Sequence, residues 1–272
     1  MSGFRCPVCK SELLRKEKNM VCANNHNFDV AKSGYVNLLL SQKAKTRHHG
    51  DDKKMVTARR DFLNKGYYRP LLESICEITQ SLAFNGCRIL DAGCGECWYT
   101  ANIYEYLKQI INVEMIGIDV SKDALTVGAK RNHEIEIAVA SIFDLPVSDN
   151  SCDIILSLFA PLSISEFKRV VKDNGVIIRA VPLERHLWNL KKAVYDDPYE
   201  NDIESFEIDG FELQNKIEIR DTIHLESNED IENVFTMTPY YYKTSDQDKE
   251  KLKFLTKLDT EIEFGILVYR RI

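Results

Sequence analysis

The chain has 272 residues, of which 44% are hydrophobic and 10% aromatic, as expected for a globular protein that can bury a full core. No apolar run approaches the length of a membrane span, and the first residues, with Arg5 and Lys10 among them, lack the apolar segment of a secretory signal. We therefore expect a cytoplasmic protein with no membrane partner, in which the eight cysteines do not form a disulfide framework.

The formal net charge of −6 conceals an uneven distribution. Residues 1–70 carry a net charge of +9, whereas residues 71–272 carry a net charge of −15. A phosphate backbone would be attracted to the basic part of the chain and repelled by the acidic remainder. The asymmetry favours a nucleic-acid partner that contacts the N-terminal part. The alternative is a solvated basic face that binds nothing.

Three segments are predicted along the chain. Residues 1–40 form a compact unit that is dense in cysteine and turn residues, with short β-type stretches at 19–21 and 35–38. Residues 41–54 are polar and charged with a single glycine, which predicts a mobile basic linker. Residues 55–272 are predicted to form a large second domain.

The large domain alternates strands and helices. Its predicted elements are helices at 55–64 and 69–81, a strand at 88–91, a helix at 98–108, a strand at 115–120, a helix at 122–132, strands at 136–140 and 151–158, a helix at 165–171 and a strand at 175–181. Strand–helix alternation at this spacing indicates an α/β fold with a doubly wound, mostly parallel sheet. Two longer strands at 216–225 and 261–270, with helical segments between them, predict an antiparallel edge on that sheet.

The N-terminal unit contains a metal-ligand pattern. Two residues separate Cys6 from Cys9, and three separate Cys22 from His26 further along. Two such pairs on two turns can close a tetrahedron around one zinc ion, and four protein ligands leave no open position, as in structural sites. A unit this small would take most of its folding energy from the metal. The alternative is surface thiols whose spacing is coincidental.

A glycine-rich turn follows the first predicted strand of the large domain. Asp91 ends that strand and Gly93 and Gly95 form the turn. Asp119 ends the next strand, where a carboxylate can accept both hydroxyls of a ribose. Nicotinamide dinucleotides use a similar layout, but Cys97 stands where their pattern has its third glycine. The acidic residue before the glycines suits the cationic cofactor S-adenosylmethionine. A purely structural glycine turn is the remaining alternative.

Several longer motifs are more specific together than any one of them alone. They are Phe4-Arg-Cys6-Pro-Val-Cys9, Cys22 with His26-Asn-Phe28-Asp29, Ala31-Lys-Ser-Gly34-Tyr35-Val-Asn37-Leu38, Ala58-Arg59-Arg60-x-Phe62-Leu63, Gly66-Tyr-Tyr68-Arg-Pro70-Leu71, Asp91–Thr100, Gly117-Ile-Asp119-Val-Ser121-Lys122, Arg185-His186-Leu187 and Met237-Thr-Pro239. In this combination, which covers almost the whole chain, the sequence resembles the RlmA/TlrB family of 23S rRNA (guanine-N1)-methyltransferases.

The resemblance implies a class I, Rossmann-like methyltransferase domain that uses S-adenosylmethionine, a zinc module that faces RNA, and a homodimer. RlmA-type enzymes methylate N1 of a guanine in a hairpin of 23S ribosomal RNA. The related TlrB proteins modify a neighbouring guanine and give macrolide resistance. The sequence does not indicate which of the two guanines would be the target here.

The resemblance also assigns residues. The zinc ligands fall on Cys6, Cys9, Cys22 and His26. Cofactor contacts fall on Tyr68, Tyr99, Thr100 and His186, with Asp91, Gly93, Gly95 and Asp119 in their general class I roles. One departure is that the family loop usually reads Gly-Cys-Gly-Glu-Gly, whereas Cys97 replaces the last glycine. A positive φ at that position would be costly for cysteine.

Chemistry alone leaves several roles open. Tyr68 could pack a helix start or cover a sulfonium cation with its ring, and His186 could be an ordinary loop histidine. No residue is indicated as the base that removes the guanine N1 proton. No Asp or Glu lies in sequence beside the strand end at Phe159, which excludes the Asn-Pro-Pro-Tyr type of amino-group methylation. A methyltransferase of another RNA or of a small molecule, and a non-catalytic zinc-dependent RNA-binding protein, are the alternative functions.

Overall fold

The computed structural model of the protein describes residues 2–40, 50–203 and 205–272. Its main feature is an eight-stranded sheet, and a second sheet of three strands belongs to the N-terminal unit. Of the predicted linker, residues 41–49 lie outside the described residues. Within the described ranges no helix combines the length and the apolarity that crossing a bilayer requires.

The strands of the described chain are β1 (Leu13–Lys16), β2 (Asn19–Cys22), β3 (Asn27–Asp29), β4 (Val36–Asn37), β5 (Cys87–Ala92), β6 (Val113–Asp119), β7 (Glu136–Val139), β8 (Cys152–Leu158), β9 (Val171–Pro182), β10 (Phe211–Leu225) and β11 (Leu258–Arg271). Its helices are α1 (Lys53–Asn64), α2 (Arg69–Leu82), α3 (Trp98–Leu107), α4 (Lys122–Gly128), α5 (Ile164–Val170), α6 (Trp188–Val194), α7 (Asn228–Thr236) and α8 (Asp246–Glu250), with 3-10 turns at Tyr241–Lys243 and Lys251–Phe254.

The main sheet has the strand order β10-β11-β9-β8-β5-β6-β7-β4. β4 to β9 are parallel to their neighbours, and β11 and β10 extend the sheet antiparallel beyond β9. This confirms the predicted class I fold with its mostly parallel sheet and antiparallel edge. The chain runs outward from β5 through β6 to β7 and then returns to β8 on the other side of β5. A crevice therefore opens at the carboxyl ends of β5 and β8, because the connections that follow these two neighbouring strands lead to opposite sides of the sheet.

Among the boundaries that differ from the prediction, three show how local sequence sets the ends of an element. α1 begins inside the predicted linker because the Asp52 carboxylate accepts a hydrogen bond from the Met55 N–H (2.9 Å) and caps the helix. α4 ends at Gly128, earlier than predicted, since glycine is a poor helix former. β9 begins at Val171, directly after α5, and Asn174 has a φ of 60°, so the predicted glycine turn is an irregularity within the strand.

One face of the main sheet is covered by helices. α1, α2, α3, α4, α6 and α7 pack apolar side chains against it in one buried cluster, in which Phe62, Ile75 and Ile103 are fully buried. The buried residues of α2 recur at intervals of three and four positions, which places them on one side of the helix.

The other face is covered mainly by the N-terminal unit. Phe4, Leu13 and Met20 pack in a second buried cluster with Leu90 of β5 and Ile116 of β6. Of the helices in the described chain, α5 alone contributes buried side chains to this cluster. β4, near the end of the unit, pairs in parallel with β7 and becomes the last strand of the main sheet. The segment predicted as a separate module therefore shares a core and a sheet with the large domain.

Candidate active site and metal centre

The four predicted zinc ligands lie at one end of the N-terminal unit. Cys6 and Cys9 lie on one turn, in which the Lys10 N–H donates a hydrogen bond to the Cys6 carbonyl (2.9 Å). Cys22 and His26 lie on a second turn, in which the Asn25 N–H donates one to the Cys22 carbonyl (2.9 Å). Lys10 (φ 63°) and Asn25 (φ 60°) both have left-handed backbone, so the two turns are alike. Their ligand atoms all lie within 4.8 Å of one another.

The spacing of these atoms suits a zinc ion. The Sγ atoms of Cys9 and Cys22 are 3.6 Å apart. His26 Nδ1 lies 3.4 Å from Cys22 Sγ and 3.5 Å from Cys6 Sγ. Ligands at ~2.3 Å from the centre of a tetrahedron stand about 3.8 Å apart, close to these separations. The cysteines are free thiols, and a hydrogen bond from the Ser11 hydroxyl lowers the pKa of Cys9 to about 5, which favours the thiolate that binds zinc.

The predicted glycine turn forms the floor of a cleft of about 860 Å³ at the carboxyl ends of β5, β6, β8 and β9. Gly93 has a φ of 99°, and a Cβ there would lie 2.5 Å from the Cβ of Ala160, so only glycine fits. Gly95 also has a positive φ, 55°, and a Cβ on it would meet nothing closer than an Arg59 nitrogen at 3.8 Å. The turn thus leaves room for a ligand to lie directly on its backbone.

Asp91 presents an unsatisfied acceptor to this cleft. Thr100 Oγ1 donates a hydrogen bond to Asp91 Oδ2 (2.6 Å), whereas the buried Oδ1 has no partner in the described chain. Burial raises the pKa of Asp91 to about 7. Such a carboxylate suits the ammonium group of S-adenosylmethionine. Thr100 is fully buried and is not among the residues that line the cleft, so it orients Asp91 from behind.

Asp119 lines the cleft at the end of β6. Its Oδ2 accepts a hydrogen bond from the Gly95 N–H (2.9 Å), and its Oδ1 accepts one from the Ser121 N–H (2.8 Å). Each oxygen keeps a lone pair for a further donor, so the carboxylate can still accept from a ribose. Burial raises the pKa of Asp119 from its usual value, although the two N–H groups oppose that shift.

Tyr68 and His186, which are distant in sequence, form a hydrogen-bonded pair in the cleft wall. His186 Nδ1 accepts a hydrogen bond from the Glu263 N–H (3.2 Å), so the ring hydrogen is on Nε2, which donates to the Tyr68 hydroxyl (3.2 Å). Burial lowers the pKa of His186 to about 3, which keeps the ring neutral. The Tyr68 hydroxyl is then left with its own hydrogen to donate. The Tyr99 hydroxyl is also buried and has no partner in the described chain.

Comparison with known proteins agrees with this geometry. Residues 4–47 match the model of the RlmA N-terminal zinc ribbon, and residues 83–240 match that of a methyltransferase domain. The chain is 32% identical to the 23S rRNA (guanine(748)-N(1))-methyltransferase of Streptomyces fradiae over 70% of its own length and 67% of that protein. It is also 32% identical to YxjB of Bacillus subtilis (strain 168), provisionally named a 23S rRNA (guanine-N1)-methyltransferase, over 72% of its own length and 70% of that protein.

The chain belongs to the family of 23S rRNA (guanine-N1)-methyltransferases. The matches confirm the methyltransferase fold, the predicted cofactor S-adenosylmethionine and the zinc ion. The residues that would hold the two groups are those described above, and their roles stay predictions.

The methyltransferase also has cleft residues that sequence reasoning missed. Arg59 of α1 forms an ion pair with Asp51 and donates a hydrogen bond to the Met237 carbonyl (3.1 Å), which ties α1 to the segment after α7. Asp202 and Phe159 also line the cleft. Arg59 and Met237 are 178 residues apart in the chain, so no local pattern could have found their contact. The resemblance did include Arg59 and Met237, but it gave them no role.

Cys97 adopts the backbone conformation that the departure from the family loop put in question. Its φ is 61°, in the left-handed region that glycine favours. Its buried Sγ lies 3.6 Å from the Sγ of Cys94. A Cβ on Gly128 of α4 would lie 2.7 Å from that sulfur, so the thiol fills space that Gly128 leaves open.

Proposed function

We propose that this methyltransferase transfers a methyl group from S-adenosylmethionine to N1 of a guanine in a hairpin of 23S ribosomal RNA, in the cytoplasm. The observation that carries the proposal is the presence, in one chain, of an RlmA-type zinc ribbon and a cleft lined by Asp91, Asp119 and the two glycines Gly93 and Gly95. The named relatives, with their stated guanine-N1 activity, support it. A homodimer is also expected, and light scattering of the purified protein tests it.

The cleft residues fit the cofactor as follows. The free oxygen of Asp91 would accept the ammonium group, and Asp119 would accept the ribose hydroxyls. Tyr68, held by neutral His186, would place its ring or its hydroxyl against the cationic end. When bound, S-adenosylmethionine would supply an electrophilic methyl carbon, whose bond to sulfur would break as its bond to the attacking nitrogen forms. The protein's main task is then to align the two.

The target nitrogen sets a second requirement. Guanine N1 carries a proton and lies on the Watson–Crick edge, so the base must be unpaired or flipped and its proton must be accepted. Asp91, Glu96 and Asp119 are hydrogen-bonded, and Asp51 is paired with Arg59. Among the cleft carboxylates of the described chain, Asp202 alone has no hydrogen bond or ion pair assigned. We assign the proton acceptance to Asp202.

Two groups of three cations lie at different ends of the sheet. Three lie around the cleft: Lys53 and Lys122 are close in sequence to the cleft residues Gly50 and Val120, and Lys10 pairs with Asp144, next to the cleft residue Phe143. We call Lys10, Lys53 and Lys122 the rim cations. Arg15, Lys16 and Lys18 (the hairpin cations) lie at the turn between β1 and β2, where Arg15 and Lys16 share a surface depression with Glu136, the first residue of β7.

The rim cations are placed to hold the RNA backbone beside the cleft, and the hairpin cations are not. Replacing the three rim cations by Ala should reduce the slope of log K against log salt by up to roughly 0.7–0.9 for each phosphate that the protein no longer neutralises. Replacing the three hairpin cations removes the same formal charge and serves as the matched control. Salt-titrated binding of a 23S rRNA fragment distinguishes them, and equal slopes for the two triple variants would count against this surface.

The function itself is tested by incubating the purified protein with S-adenosylmethionine and unmodified 23S rRNA, followed by mass spectrometry of the nucleosides. The expected product is 1-methylguanosine, which Asp202→Asn should form more slowly with unchanged cofactor affinity. Methylation of another nucleoside, or none, would contradict the proposal.

A further inference from the structure

We infer that Phe159 is the platform on which the target guanine stacks beside the methyl donor. This inference rests on the proposed function, because it concerns the base that the enzyme would methylate. It assigns a substrate contact to a residue that follows the last residue of β8 and lines the cleft.

The first argument is position. Phe159 N–H donates a hydrogen bond to the Ala180 carbonyl (3.0 Å), so the residue continues the pairing of β8 with β9 to the cleft edge. The next residue, Ala160, lies against Gly93, where an added Cβ would be only 2.5 Å from the Ala160 Cβ. Phe159 therefore directly precedes the residue that packs against the cofactor loop.

The same position argues against stacking of the cofactor's adenine on the Phe159 ring. Asp119, the expected ribose acceptor, ends β6, and β5 separates β6 from β8 in the sheet. The adenosine would therefore lie over the β6 side of the crevice, whereas Phe159 stands on the β8 side. That side is the part of the cleft that the cofactor leaves for a substrate.

The second argument is conformation and exposure. Phe159 has a φ of 57°, a left-handed backbone that a bulky side chain rarely adopts, and 43% of the residue is exposed. Folding stability favours neither a strained phenylalanine nor an exposed one. Strain of this kind at a cleft is a reason to look for a functional contact, since the surrounding structure must hold it in place.

The third argument is the geometry of the neighbouring rings. Phe264 lies 5.5 Å from Phe159 between ring centroids at an interplanar angle of 63°, and Tyr99 lies 6.3 Å away at 49°. Both contacts fix the orientation of the Phe159 ring, but neither ring stacks parallel to it. A planar base offers that parallel contact, and unpaired bases in RNA are commonly held by stacking on aromatic side chains.

The test uses the full-length protein, S-adenosylmethionine and a 23S rRNA hairpin that contains the guanine identified by mass spectrometry. Phe159→Ala should lower kcat/KM for the RNA by roughly 5- to 150-fold, the range for removing the aromatic ring on which one base stacks. Phe159→Tyr should restore most of the activity, and the cofactor affinity of both variants should match that of the unaltered protein. Phe254→Ala is the control, because Phe254 is 83% exposed and does not line the cleft.

A second readout reports the stack directly. With 2-aminopurine in place of the target guanine, flipping raises the fluorescence and stacking on an aromatic ring quenches it, so the bound RNA should be brighter with Phe159→Ala than with Phe159→Tyr. If Phe159→Ala does not fold, Phe159→Gly gives the same test, since glycine accepts the φ of 57° without strain.

The outcomes separate the inference from the function on which it rests. An unaltered protein that forms no 1-methylguanosine contradicts the proposed function. An active protein whose Phe159→Ala or Phe159→Gly variant keeps the same kcat/KM and the same 2-aminopurine signal overturns the platform alone.

Discussion

The two faces of the main sheet are covered by different means. On one face, six helices of the described chain, which form their own backbone hydrogen bonds, pack in a continuous apolar layer. On the other, most of the cover comes from a unit whose strands β1 to β4 are two to four residues long. Strands this short do not hold a fold by themselves. We therefore expect the zinc ion to stabilise the cover of this face, as helical hydrogen bonds stabilise the cover of the other.

The predicted metal ligands also lie close to the strands that end at the cofactor cleft. Cys6 and Cys22 are themselves buried in the cluster that contains Leu90 of β5 and Ile116 of β6. These two strands end at the cofactor turn and at Asp119. The zinc ribbon thus packs against the strands that carry the cofactor turn and Asp119, in addition to any contact that it makes with RNA.

The largest effect is expected from removing the metal. Chelation, or Cys22→Ser, should lower the melting temperature by on the order of 10 °C or more and weaken S-adenosylmethionine binding, because the zinc face would lose its cover. Calorimetry of the zinc-loaded and zinc-free protein measures both. Cys76→Ser, in the helix-covered face, is the control that should keep its zinc. A zinc-free protein with unchanged melting and cofactor affinity would show that the ribbon is an independent module.

Truncating one core side chain on each face comes next. Phe62→Ala on the helix face and Leu13→Ala on the zinc face should each cost about 2–5 kcal/mol, since both side chains are fully buried. Because the faces share one sheet, denaturant unfolding should stay a single transition in both variants. Leu14→Ala, at a site 50% exposed, should change the unfolding free energy little. Two transitions in Leu13→Ala would mean that the zinc face unfolds separately.

A smaller effect is expected from pH at the edge where the faces meet. The pKa of Asp91 is raised to about 7 by burial, so without cofactor the folded protein holds a proton that the unfolded chain has lost, and stability falls as the pH rises toward 7. Cofactor binding requires the ionised carboxylate. Affinity should therefore fall by up to about tenfold per pH unit below 7.

Calorimetric titrations between pH 5.5 and 7.5 measure this dependence. Asp91→Asn should bind S-adenosylmethionine weakly, and its pH dependence should be flatter, with the contributions of Glu96, whose pKa burial raises to about 7, and of Asp119, whose pKa burial also raises. The same slope in the unaltered protein and in Asp91→Asn would remove Asp91 from the cofactor site.

The smallest effect concerns the cofactor loop. Cys97→Gly relieves the left-handed strain, and Cys97→Ala keeps it while also losing the thiol. We expect the glycine variant to be the more stable of the two by roughly 1 kcal/mol and to lie within about 1 kcal/mol of the unaltered protein. Equilibrium unfolding in urea gives both differences. An alanine variant as stable as the glycine one would mean that the loop carries no strain at this residue.

The features that could be predicted from the sequence are those that depend on residues close together in the chain. The spacing of Cys6 and Cys9 indicated the metal centre, and strand ends placed Asp91 and Asp119 at one edge of the sheet. The packing of Leu13 and Ile116 in one cluster and the hydrogen bond from Arg59 to the Met237 carbonyl could not be predicted in this way. These contacts join segments whose approach depends on the whole fold.

Single residues show the same limit. Thr100 was predicted to contact the cofactor, and the structure places it behind Asp91. His186 was recognised only through the family, because its partner Tyr68 is 118 residues away along the chain.

The strand β4 carries a consequence for synthesis on the ribosome. The N-terminal unit emerges first, but β7, to which β4 pairs, and Leu90 and Ile116, against which the unit packs, are translated much later. During that interval the unit lacks the strand with which it pairs and the side chains against which it packs. A zinc ion is then the ligand that can hold its two turns together. Metal supply during translation should therefore affect the yield of folded enzyme more than metal supplied afterwards.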